Sequence, residues 1–167
     1  MSVHRTHSTR NYLAAITGAI AGIAVGANIA LDAGFPHIIP WIVAALFATL
    51  FLISAQHSRY RKILKFTVPC ICVSVSMANG TIRGLIGGIL LGVICGIFCA
   101  TQNVFITGIV TGFLTAQIVL QIPYYEHGKI IGDFLAIHRN AQLPLILASC
   151  IIFGAAFQTC FKPQSRQ

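Results

Sequence analysis

The sequence predicts an all-α polytopic integral membrane protein of six transmembrane helices, arranged as two inverted three-helix repeats. Three observations carry this. Of 167 residues 56% are apolar and 8% charged, with a mean hydropathy of +0.83, whereas a soluble domain carries about 25% charged residues. The chain breaks into uncharged stretches long enough to cross about 30 Å of hydrocarbon. Glycines also coincide when the chain is laid on itself with a shift of 66 residues. The composition excludes a soluble globular domain, a disordered chain and a coiled coil, because 11 Lys/Arg and 3 Asp/Glu cannot clothe a water-facing surface.

Residues 1–10 form a basic segment with Arg5 and Arg10. The first span is Tyr12–Leu31, 20 residues without a charge. A signal peptide would have a shorter apolar region and a small-residue cleavage motif after it, so a retained span is expected. The second span runs from about Ile38 to Ser54, with Trp41 placed where an indole favours the interface. His57, Arg59, Arg61, Lys62 and Lys65 then make the densest positive cluster.

Only 17 residues separate Lys65 from Arg83, and Pro69, Ser74, Ser76 and Asn79 lie among them. This third span reaches across if Lys62 and Lys65 snorkel. Gly84–Ala100 is the fourth span and Val104–Ile122 the fifth. In the long connection that follows, Ile130, Ile131, Phe134, Leu135 and Ile137 interleave with Lys129, Asp133, His138 and Arg139. That pattern suits a helix lying in the interface over about 124–140. Leu143–Phe161 is the last span, and 162–167 form a polar cytoplasmic tail.

Lys and Arg concentrate on cytoplasmic loops. Six spans with both termini cytoplasmic divide them 8 inside to 3 outside, and five spans divide them 9 to 2. Charge therefore does not choose six, and the repeat does. Gly18, Gly22 and Gly26 fall on Gly84, Gly88 and Gly92, equating a half over 11–79 with a half over 80–161. Three spans per half is an odd number, so the second copy is expected to lie inverted, as in many transporters. The expected location is a bacterial cytoplasmic (inner) membrane, with the lipid bilayer as the main partner and no nucleic acid.

Ala14, Gly18, Gly22, Gly26 and Ala30 recur every four residues, as do Gly84, Gly88, Gly92, Gly96 and Ala100. Such spacing puts small residues on one helix face, where backbones approach closely in lipid. The two striped spans are expected to pack on each other, or on a copy in a homodimer. The alternative is that each meets a different neighbour in the bundle.

No carboxylate falls at mid-depth, which argues against a proton-driven pump. No catalytic motif of the H-E-x-x-H, G-x-S-x-G or phosphate-loop type occurs, so no enzyme is expected. The six cysteines lie in apolar stretches without C-x-x-C, and no metal or other cofactor is expected. Asn103, Thr107, Thr111 and Thr115 form a stripe, Gln117 lies on an adjacent face, and Asn28 is on the first span. Together they are candidates for a solute path, although Thr hydroxyls also bond to their own helix. Asp32, His37, Glu126, His127, Asp133 and His138 are expected on the outer face.

Two functions follow as expectations. One is a permease or channel-like protein for a small solute at the repeat interface. The other is a non-catalytic accessory, assembly or immunity-type protein that binds another membrane protein through its glycine-striped helices.

Overall fold

The computed structural model describes residues 2–78, 81–122, 133 and 139–161, with the side chains of 2–8, 58, 59 and 139 left aside. The helices are α1 (Ser2–Ala33), α2 (Ile39–Gln56), α3 (Ser58–Ala78), α4 (Ile82–Thr101), α5 (Val104–Gln121) and α6 (Gln142–Phe161). A 3-10 turn over Arg139–Ala141 leads into α6, and no strand occurs among the described residues. Five helices are long and apolar enough to cross a membrane: the Thr9–Ala33 part of α1, then α2, α4, α5 and α6. The sixth, α3, carries Arg59, Arg61, Lys62 and Lys65 in its first two turns, and only 66–78 is uncharged.

Local chemistry sets the helix ends. Gly34, at φ 65°, takes the left-handed conformation that ends α1, and Phe35 N donates back to Ala30 O at 2.9 Å. This is the glycine-closed helix terminus in which the next residue's amide satisfies an orphan carbonyl. Pro40 then sits in the first turn of α2, where its missing N–H costs no helical bond. The Thr81 hydroxyl accepts from Gly84 N at 3.0 Å to cap α4, and Asn103 Oδ1 accepts from Phe105 N at 3.0 Å to cap α5.

Close packing follows glycine. A Cβ added at Gly18 would stand 2.6 Å from Phe47 O, and one at Gly26 2.7 Å from Pro40 Cα, so α1 lies directly on α2. Gly84, Gly88, Gly92 and Gly96 press on α3 in the same way, against Met77–Ala78, Ser74, Cys70 and Phe66. A third set, Gly108 and Gly112 on α5, presses on Phe153–Gly154 and Ser149–Cys150 of α6. The stripes of α1 and α4 therefore do not meet; each presses on the helix beside it in the chain order. The short links between these helices account for this, since consecutive elements joined by few residues pack against one another before a distant stripe can compete.

The pairing repeats every two helices. α1 packs along α2, α3 along α4 and α5 along α6, while α1, α3 and α5 touch one another at the centre. α2 then reaches α3, α4 reaches α5, and α6 reaches α1. A 66-residue shift would instead equate α1–α2 with α4–α5, a pair that makes only slight contact. The packing is that of three hairpins, α1–α2, α3–α4 and α5–α6.

Helix directions alternate around this ring. At one end Cys160 Sγ donates to Arg10 O at 3.5 Å, Arg61 Nη1 donates to Phe161 O at 3.1 Å, and Lys65 Nζ donates to Gln102 O. The cations of α3 thus meet the carbonyl ends of α4 and α6, where the helix dipole favours positive charge. At the opposite end Gln121 Nε2 donates to Ser76 O at 3.1 Å. Near the cationic end the core is aromatic, with Phe51, Phe157 and Phe161 at centroid separations of 5.0–5.7 Å.

Candidate functional site

Each central helix turns a second face inward. On α1, Thr17, Ala21, Ala24, Val25 and Asn28 are buried, and by helical spacing they lie to one side of the glycine line. On α3 the inward residues are Leu64, Val68 and Cys72, and on α5 they are Thr107, Thr111, Thr115 and Ile118. The junction of the three hairpins is therefore mostly small and apolar, with a few polar groups enclosed in it.

Those groups differ in what they do. Thr17 bonds to Leu13 O at 2.7 Å within its own helix. Thr107 bonds to Asn103 O at 3.0 Å and across to Cys99 O at 2.9 Å, stapling α5 to the end of α4. Asn103 is an exposed helix cap outside the junction. Thr111 is wholly buried and its hydroxyl has no hydrogen-bond partner, while Thr115 lies beside the Cys72 thiol of α3. Gln117 is half-buried. Asn28 is 0% exposed, and neither its Nδ2 nor its Oδ1 is bonded.

An unpaired buried polar group costs about 1–3 kcal/mol, so Asn28 and Thr111 cost stability where they stand. The sequence stripe of Asn103, Thr107, Thr111 and Thr115 thus separates into a cap, a staple and two residues at the junction. Cys72 was missed by pattern reading because a cysteine in an apolar run gives no sign of a hydroxyl opposite it.

One turn beyond Asn28, Asp32 lines a cleft of about 390 Å³ between α1, α3 and the start of α4. Ile29, Ser74, Val75, Thr81 and Leu85 share its wall, and Asp32 Oδ1 is buried without a hydrogen-bond partner. His37 is exposed at the α1–α2 turn, and Asp133 is exposed. Glu126, His127 and His138 lie outside the described residues, as does the expected interfacial helix apart from Asp133 and the Arg139–Ala141 turn.

All six cysteines are free thiols, and no group of three or more His, Cys, Asp and Glu gathers among the described residues. No protein-family model, curated protein or solved structure matches the chain.

Proposed function

We propose that this chain is a small permease- or channel-like protein that passes a small polar or cationic solute along the junction of α1, α3 and α5. The observation that carries the reading is Asn28, a fully enclosed carboxamide with no bond at either polar atom. A bundle that needed only to pack would gain about 1–3 kcal/mol by placing an apolar residue there. Thr111, and Thr115 beside Cys72, continue the polar surface from a second central helix. On this reading the sealed junction is the occluded state of a path that runs between hairpins.

In the same proposal α3 is the sixth crossing and both termini are cytoplasmic, in a bacterial inner membrane. Support comes from the uncharged 66–78 segment alongside α4, and from the cations of α3 meeting the ends of α4 and α6. An accessory protein that grips a partner through its glycine stripes is favoured less, because α2, α3 and α6 already occupy those faces.

The test is solute entry into reconstituted vesicles, followed by light scattering after hyperosmotic mixing with urea, glycerol, methylammonium chloride or tetramethylammonium chloride. At least one solute should enter faster than in protein-free vesicles. Asn28→Leu should slow it about ten-fold, the effect of about 1.4 kcal/mol on the barrier, at equal protein content. No entry above the protein-free rate for any of the four solutes, or full rates in Asn28→Leu, would remove the proposal.

A further inference from the structure

We propose that the cleft between α1, α3 and α4 binds a small monovalent organic cation with an apolar body, held by the Asp32 carboxylate. Its volume of about 390 Å³ lies within the usual range for small-molecule sites. Ile29, Val75 and Leu85 supply an apolar wall, and Asp32 is the single acid on it. Asp32 Oδ1 is shielded from solvent and accepts no hydrogen bond. Asp32 is half-buried, and a shielded carboxylate oxygen in that position calls for a positive partner.

The remaining polar groups decide what kind of cation fits. The Ser74 hydroxyl is within bonding distance of Cys70 O at 2.8 Å and Gly88 O at 3.3 Å, and the Thr81 oxygen caps α4. Besides Asp32 these two hydroxyls are the only side-chain oxygens on the wall, and the Thr81 oxygen already accepts from Gly84 N, whereas a metal ion needs several oxygen ligands at once. An alkylammonium or quaternary ammonium group needs only the one negative charge, and its hydrocarbon matches the wall.

Asn28 lies one helical turn deeper on the same face as Asp32, and its amide is unpaired and 0% exposed. The cleft is then the mouth of the path described above, and the inference names that path's substrate class. It rests on the path reading only for what happens after binding.

The experiment is equilibrium dialysis of benzyltrimethylammonium against the full chain in detergent, with benzyl alcohol and benzenesulfonate as neutral and anionic comparisons. Saturable binding of the cation alone is expected. Asp32→Asn should weaken it by at least about 30-fold, the size of effect seen when one member of a buried charge pair is removed. Ala33→Trp, at an exposed residue on the rim, should fill the cleft and abolish binding, and both variants should melt like the parent.

The proposal is overturned if the parent does not bind the cation, if benzyl alcohol binds as tightly, or if Asp32→Asn binds as the parent does. Cation binding without vesicle entry keeps the cleft and removes the path. Entry of urea or glycerol without cation binding removes the cleft and leaves the path.

Discussion

Gly22→Ala tests the packing that makes each hairpin. The added Cβ would stand 2.6 Å from Ala44 Cα, 2.7 Å from Val43 O and 2.9 Å from Ala44 N. Carbon atoms in contact rest at about 3.5–4.0 Å, so α1 and α2 must part by roughly 1 Å at this level. All three neighbours are backbone atoms, and no side-chain rotation relieves them. Parting here also lifts Gly18 from Phe47 and Gly26 from Pro40, which sit equally close.

Overpacking a tight site costs about 1–3 kcal/mol. The upper part of that range applies because lipid provides no hydrophobic drive to hold a loosened pair together. At about 2–4 °C per kcal/mol for a chain of this length, the melting temperature in detergent should fall by roughly 4–12 °C, read by circular dichroism. Gly87→Ala is the internal comparison, since a Cβ there meets nothing within 4 Å. It should melt at or above the parent temperature, because alanine gains up to about 1 kcal/mol of helix propensity over glycine. Equal losses in the two variants, or no loss in Gly22→Ala, would refute backbone contact as the force that closes the hairpin.

Three further outcomes are expected. Arg61→Met removes a charged donor from the Phe161 carbonyl at the end of α6 and should cost about 1 kcal/mol, because part of the bond's value is lost to solvent screening; thermal melts measure it. Phe157→Ala removes a wholly buried ring packed edge-on against Phe51. Its cost should be about 2 kcal/mol, below the 3–5 usual in water-soluble cores, because the transfer part of that value is weak in lipid; SDS titration would read it. Maleimide in mild detergent should label Cys70, Cys95 and Cys150, which are half-buried, and spare Cys72, Cys99 and Cys160 until the protein is unfolded; intact-mass spectrometry counts the adducts.

Helix positions were legible because charge and glycine punctuate this chain strongly. Gly34 closes α1 and Asn103 opens α5, at residues whose roles are local. Partnership was not legible. Gly22 and Gly88 coincide under the shift, yet one meets Ala44 and the other Ser74, because a small-residue face states that something comes close and does not say what. The α5 stripe Gly108–Gly112–Ala116 has the same four-residue spacing, but the threonines beside it hide it among polar residues. Within the candidate site, Asn28 and Thr111 were named from sequence, but their lack of partners is a property of the surrounding helices. Lys65 read as a snorkelling cation, and its bond to Gln102 O depends on α4 ending beside α3.

The two kinds of interface in this bundle differ in how they can move. Within a hairpin, backbone lies on backbone over successive turns, as Gly18, Gly22 and Gly26 do on α2. Such surfaces cannot slide or part without losing every contact together, since packed elements shift between discrete arrangements. Between hairpins the contact is through side chains such as Ile118, Val25, Val68 and Cys72, which can change rotamer while the helices stay intact. An opening that admits solute to Asn28 must therefore separate hairpins as rigid pairs. The Asp32 cleft lies on one of those boundaries, with α1 on one side and α3–α4 on the other. The residue that would select a cation and the seam that would open for it thus occupy the same place in the fold.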